Sequence, residues 1–231
     1  MQDKHPQCAE CPYDWSERFC RKENGKAPEN CPSLRHRDLV KKAVEEIQSP
    51  EVFEFARQAS IQEAEGYGNR EKGYSMVRPI KPRIVEVIEF ANKMKYKRIG
   101  LVFCVGLRRE AAVVHEILKN QGFEVISVVC KVGRVSKEVL QITKEQQIVS
   151  NSFESMCNPV LQALVVNHHQ SDFNVLLGLC VGHDSLFFKY AEAPCTVLAV
   201  KDRLMGHNPL AAIYQYESYY RYLKNPLEPK G

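Results

Sequence analysis

At 231 residues the chain is long enough for one α/β domain and a small appendage, but too short for two full domains. Hydrophobic residues at 44% and charged residues at 26% indicate a globular core, and a net charge of +4 spread over interleaved acids and bases gives no reason to invoke nucleic acid. No run reaches the ~18 consecutive apolar residues of a membrane span, and Met1-Gln2-Asp3-Lys4-His5-Pro6 lacks the apolar segment of a secretory signal. A cytoplasmic protein is therefore expected, and its nine cysteines are expected to be metal ligands or catalytic thiols rather than disulfides.

Residues 1–36 hold four of those cysteines and few apolar side chains, so burial alone cannot order them and a metal centre is expected to do so. The spacing is Cys8-x2-Cys11-x8-Cys20-x10-Cys31. A C-x2-C pair presents two thiolates from one tight turn, and two more cysteines within about 20 residues close a four-thiolate site. Zinc fits such a site. An iron–sulfur cluster fits it as well, and proline is common beside cluster ligands, as Pro12 and Pro32 are here.

Residues 37–79 read as a helical connecting segment. Leu39, Val40, Ala43, Val44 and Ile47 recur at helical spacing, and Ser49-Pro50-Glu51 reads as a side-chain cap, a first-turn proline and an early acid opening a second helix that runs to about Glu65. Gly66, Gly68 and Gly73 then mark a loop.

From residue 80 to 231 strands and helices alternate. A helix over about Pro82 to Lys95 precedes a strand from Ile99 to Cys104. Leu107, Ala111, Val114 and Leu118 form a helical stripe ending at Gly122, and Phe123 to Cys130 is the second strand. Residues 131–156 are polar and carry no clear pattern. Asn158-Pro159 starts a helix, Phe173 to Leu179 is the third strand, a short helix follows Asp184, and Thr196 to Val200 is the fourth strand. Asn208-Pro209 opens a last long helix whose Tyr214, Tyr216, Tyr219, Tyr220 and Tyr222 suit a packing or homo-oligomer surface. The expected fold is a three-layer, Rossmann-like α/β domain with a four-stranded parallel sheet in the order 2-1-3-4.

In such a sheet every strand end and following helix start lie on one edge, and ligands bind where the strand order reverses. Cys104 ends the first strand, Cys180 ends the third, and Cys157 precedes a helix start, so the three are expected in one crevice. Cys130 ends an edge strand and Cys195 begins a strand on the opposite side, and both read as packing residues. His183, Lys201, Asp202, His207 and Asn208 fall on the crevice side, as do Asn158 and the Arg108-Arg109 pair, which can draw an anion to a helix start.

Two chemistries fit. Three thiolates can hold a 4Fe–4S cluster or a zinc ion with an open position, with His183 or His207 moving protons for a small anionic or sulfur-containing molecule. Alternatively, Gly178-Leu179-Cys180-Val181-Gly182 is a nucleophile elbow with cysteine in place of serine, followed by Asp202 and His207 in the acid-then-histidine order. A non-catalytic metal-responsive or electron-passing module is a third reading. The first strand is followed by Cys104-Val105-Gly106-Leu107-Arg108, not a glycine-rich dinucleotide fingerprint, so neither NAD nor FAD is expected.

Several long motifs carry a resemblance: Asn30-Cys31-Pro32, Ile99 through Arg108, Met156-Cys157-Asn158-Pro159, Gly178 through Asp184, Lys201-Asp202-Arg203 and Gly206-His207-Asn208-Pro209. Through them nearly the whole chain resembles the family called domain of unknown function 1847, described as predicted metal-binding proteins. The resemblance implies metal binding through the four N-terminal cysteines and names no activity.

Overall fold

The computed structural model describes residues 5–150 and 152–227. The chain divides into two compact units, Met1–Glu65 and Gly66–Gly231.

Short turns carry the cysteines of the first unit, at Cys8–Glu10 and Trp15–Glu17. The Phe19 N–H then donates to the Lys26 carbonyl at 2.9 Å and the Lys26 N–H to the Glu17 carbonyl at 2.7 Å, closing a small loop. Arg18 holds that loop to the first cysteine pair, its Nε donating to the Tyr13 carbonyl at 2.9 Å and its Nη2 to the Cys11 carbonyl at 3.4 Å. Helix α1 (Pro32–Arg35) begins directly after Cys31, and α2 (Arg37–Ile47) and α3 (Pro50–Glu65) follow. Ser49 opens α3 through its carbonyl, which accepts from Val52 and Phe53. Its hydroxyl has no partner among the described residues, so the expected side-chain cap does not form.

In the second unit β1 (Tyr67–Gly68) and β2 (Arg78–Pro79) form a short antiparallel ladder that closes the glycine-rich loop. Helix α4 (Arg83–Lys93) precedes the main sheet. Its strands β3 (Arg98–Phe103), β4 (Glu124–Val129), β5 (Phe173–Leu177) and β6 (Cys195–Ala199) are all parallel, in the spatial order β4-β3-β5-β6. Helices α5 (Arg108–Asn120), α6 (Pro159–His168) and α7 (His183–Tyr190) fill the connections, giving the three-layer α/β architecture.

The two faces of the sheet are sorted by strand parity. The connection from β3 to β4 crosses the sheet in one direction and the next two cross in the other, so right-handed crossovers put α5 on one face and α6 and α7 on the opposite one. Val102, Val128 and Leu176 pack with Ala163, Val166 and Phe187 on the α6–α7 side. On the other side Phe173 meets Phe90 of α4 and Tyr96, with ring centroids 5.7 and 5.6 Å apart. Both faces are covered, which is why the strands read as nearly continuous apolar runs.

The polar stretch 131–156 is ordered by short-range pairing. It holds two 3-10 turns, Lys137–Leu140 and Lys144–Gln146, a bridge between Ser136 and Ser155, and a Lys137–Glu154 ion pair at 2.6 Å.

A second expectation, the long C-terminal helix, also fails. In place of a last long helix, Pro209 is followed by α8 (Leu210–Tyr214), irregular turns and a 3-10 turn at Arg221–Lys224. Leu210, Ile213, Tyr214 and Tyr219 are exposed, so no apolar face is buried to stabilise a longer helix. Aromatic residues themselves favour helix only weakly. No helix among the described residues is long and apolar enough to cross a membrane.

The strand ends are held by a polar residue in the core. Gln162 of α6 is fully buried, and its Nε2 donates to the Val128 carbonyl at 2.8 Å and the Phe103 carbonyl at 3.3 Å. It ties β4 and β3 together one or two residues before Cys130 and Cys104. Replacing Gln162 with Leu removes the donor and leaves the Val128 carbonyl buried without it. Urea unfolding is expected to show a loss of about 1–3 kcal/mol.

Candidate functional site

Two groups of cysteines stand out, one in each unit. In the first unit Cys8, Cys11, Cys20 and Cys31 all line one cavity of about 60 Å³, together with Arg18, Phe19 and Pro28. Cys8 and Cys20 are exposed, and Cys11 and Cys31 are half-buried. One 3-10 turn, one loop and a helix start deliver them: Cys8 opens the turn and Cys11 closes it, Cys20 lies within the loop closed by Phe19 and Lys26, and Cys31 caps α1. The Asn30 side chain donates to the His5 carbonyl at 3.0 Å, tying the start of this segment to its end.

The second group lies at the C-terminal edge of the sheet. Parallel pairing runs one residue beyond β3 and β4: the Cys104 N–H donates to the Leu177 carbonyl at 3.1 Å and the Cys130 N–H to the Phe103 carbonyl at 2.8 Å. Cys104 and Cys130 therefore stand side by side, each two residues past a residue facing α6 and α7 (Val102 and Val128), and both pack in that core layer. The Asn158 N–H donates to the Cys130 carbonyl at 2.7 Å and so brings Cys157 alongside. The Cys157 and Cys130 sulfurs are 3.8 Å apart. Cys180 follows β5 through Gly178, whose positive φ of +67° and position 1.9 Å (for an added Cβ) from Leu107 Cδ1 admit no side chain.

Each of three cysteines has its own cation. Lys201 lowers the pKa of Cys104, His183 and Lys131 lower that of Cys157, and Arg203 Nη2 donates to Cys180 Sγ at 3.0 Å. Cys130 has none and is 2% exposed.

The four thiols divide accordingly. A hydrogen bond from Cys130, with help from Lys201, holds Cys104 down to about 5. Cys130 and then His183 hold Cys157 down to about 4. Cys130, wedged between those two sulfurs and buried, is pushed far up and stays protonated. Burial also raises Cys180, since the pull of Arg203 is opposed by the nearby Cys104 and Cys157 charges. The Cys157 thiolate raises the His183 pKa in turn. The result is one protonated thiol, Cys130, between two sulfurs of lowered pKa.

The remaining candidates are more dispersed. The Asp202 carboxylate accepts from the Leu204 and Met205 N–H groups at 3.0 and 2.8 Å, and His207 Nδ1 accepts from the Asp202 N–H at 3.2 Å. Asp202 and His207 thus stabilise their own turn, and it is Arg203 that touches Cys180. Asn158 caps α6, its Oδ1 accepting from Leu161 at 3.0 Å. Arg108 and Arg109 are exposed at the start of α5. Asn208 engages Met205 through its backbone N–H, at 3.1 Å. Among the described residues no group of three or more His, Cys, Asp or Glu side chains is placed so that it could hold a metal ion, the two cysteine groups included.

The sequence profile of a family described as a protein of unknown function (DUF1847) matches residues 31–198. The chain belongs to this family. The match takes in Cys31 and the whole of Cys104, Cys130, Cys157 and Cys180, and it ends before Lys201 and Arg203. The chain is also similar to an uncharacterized protein of Methanocaldococcus jannaschii. The two are 41% identical over 194 residues, which is 84% of this chain and 91% of that protein.

Three members of the crevice are not recognised in the sequence, Cys130, Lys131 and Arg203. Cys130 was legible in principle, because a strand adjacent to β3 and ending level with it must place its last residue beside Cys104. Arg203 belongs to no motif of sulfur chemistry and offered no signal.

The ionisation pattern has a direct readout. Iodoacetamide reacts with thiolates, so Cys157 labelling is expected to stay high as pH falls from 9 to about 6 and to decline only as pH nears its value of about 4. His183→Ala removes one stabilising partner and is expected to move that decline upward in pH, followed by peptide mass mapping. A Cys157 profile that falls away below the usual thiol value of 9.0 would contradict the assignment.

Proposed function

We propose that this is a cytoplasmic metalloprotein in which Cys8, Cys11, Cys20 and Cys31 hold one structural centre, a zinc ion or an iron–sulfur cluster. The observation that carries the proposal is that all four cysteines line one cavity within a unit whose described residues include only one buried side chain, Gln62. A segment with so little burial gains order from a bound ion, because ligand binding then supplies the folding free energy. The donor set is four thiols, which suits either group, and the bound centre would crosslink the turns that carry them. Nine free cysteines are consistent with a reducing compartment.

The second unit carries the chemistry in this reading. Its crevice performs thiolate chemistry on a small anionic or sulfur-containing molecule. Cys157 and Cys104 supply the reactive sulfur, and Lys131, His183, Lys201 and Arg203 supply positive charge. Cys180 is a weaker nucleophile than the elbow motif implies, because burial raises its pKa and neither Asp202 nor His207 is its hydrogen-bond partner.

Elemental analysis with acid-labile sulfide, on full-length protein purified without oxygen, tests the first part. The wild type is expected to carry about one zinc, or the iron and sulfide of one cluster. The Cys11→Ser/Cys31→Ser variant is expected to lose it and to become open to proteolysis before residue 65. Metal retained in full by the variant, or absent from the wild type, would refute the proposal.

A further inference from the structure

The crevice contains one pair of sulfurs arranged for bond formation. Cys130 and Cys157 lie 3.8 Å apart, and the Asn158 N–H bond to the Cys130 carbonyl holds their backbones together across 27 residues of sequence. Access to the two is unequal. Cys157 is half-buried and reachable, while Cys130 is 2% exposed, with its sulfur accepting the Val105 N–H at 3.3 Å. An attacking thiol must be met by substrate, whereas a resolving thiol has only to meet its partner. Cys104, with Lys201 beside it, stands on the other side of Cys130.

Charge narrows the substrate. Four cationic side chains surround the sulfurs: Lys131, His183, Lys201 and Arg203. The carboxylate that acts on His183 is Asp184, which accepts from the Ser185 N–H at 2.8 Å. A negatively charged molecule is drawn to such a place and a positively charged one is repelled.

We infer that Cys130 and Cys157 form a dithiol–disulfide couple that reduces a small anionic disulfide, with Cys157 attacking and Cys130 resolving. This deepens the thiolate reading of the crevice and rests on it. In the first step Cys157 Sγ attacks one sulfur of the substrate RS–SR, forming the mixed disulfide Cys157–SR and releasing one RS⁻. In the second, Cys130 gives its proton to the released RS⁻ and its sulfur attacks Cys157 Sγ. The Cys130–Cys157 disulfide forms and the second RS⁻ leaves. Two electrons pass from the cysteine pair to the substrate. A dithiol reductant restores the pair.

The test uses the full-length protein, reduced and freed of reductant, with oxidised glutathione as the anionic probe and cystamine as a cationic disulfide of similar reactivity. Wild type is expected to release two thiols per chain in forming the 130–157 disulfide, located by peptide mass mapping. Cys130→Ser is expected to stop at one glutathione held on Cys157, with Cys130→Ala as a second version should the first fold poorly. Cys157→Ser is expected to form neither product in the crevice. Oxidised glutathione is expected to react roughly tenfold faster than cystamine at low salt. Equal rates would overturn the anionic assignment. If iodoacetamide labels Cys157 readily but no 130–157 disulfide forms, the couple is wrong and the thiolate reading survives. If Cys157 is inert to both reagents and metal persists in the Cys11→Ser/Cys31→Ser variant, the sulfurs are ligands and both readings fall.

Discussion

The Cys130 N–H bond to the Phe103 carbonyl is the constraint on which the crevice depends. It carries the parallel ladder of β3 and β4 one residue past its formal end, so the residues after the two strands remain in register. Parallel strands have a period of two, and one step of slippage would turn a side chain to the opposite face. Because Val102 and Val128 face α6 and α7, Cys104 and Cys130 do as well. Those are the helices whose starts bring in Cys157 and His183. A buried glutamine, Gln162, binds carbonyls of both strands just upstream and fixes the same register from the helix side. Sulfur placement is therefore a consequence of sheet geometry and not of any local cysteine motif.

Electrostatics then makes the four sulfurs unequal. They share a single setting, but cations are distributed unevenly within it. Lys201 serves Cys104, His183 and Lys131 serve Cys157, and Arg203 serves Cys180, while Cys130 is buried in the core layer with the Val105 N–H on its sulfur. A proton shared among closely spaced thiols settles where no cation compensates a negative charge, which is on Cys130. Burial acts in the same direction. The least accessible sulfur is also the one kept neutral, which avoids the cost of an unpaired charge in the core.

Much of this was legible in the amino-acid sequence, for reasons specific to each element. The apolar runs at 99–104 and 173–179 mark strands because both faces of a covered parallel sheet are buried, and their alternation with helical stripes points to an α/β fold. Asn158-Pro159 reads correctly as a helix start because both residues act locally, one as a cap and one at the first turn. The long helix after Pro209 misled because helix initiation is a local signal and continuation depends on a buried face, which Tyr214 and Tyr219 do not have. In the crevice, chain topology brought out Cys104, Cys157 and Cys180. Cys130 was set aside as an edge residue although adjacency in the sheet, not centrality, determines which sulfurs meet. The order of Asp202 and His207 suggested a catalytic pair, but order says nothing of competing backbone donors. The N–H groups of residues 202, 204 and 205 occupy both side chains.

The two cysteine groups place opposite demands on the protein. In the first unit the sulfurs lie in turns with almost no buried side chain, and nothing in the packing holds four thiols in one relation. A ligand would have to supply that order, and a metal shared by all four would gain the folding energy of the turns as part of its own binding. In the second unit the order precedes any ligand. Strand pairing, Gln162 and the Asn158 bond hold Cys104, Cys130 and Cys157 in place, and the surrounding cations set their charges before anything arrives. A site built in advance suits reaction, because orientation and electrostatic cost are already met by folding. A site completed by its ligand suits structure. On the proposed function, thiol exchange in the crevice and metal in the N-terminal turns would be complementary uses of one residue type, separated by whether the fold or the ligand positions the sulfur.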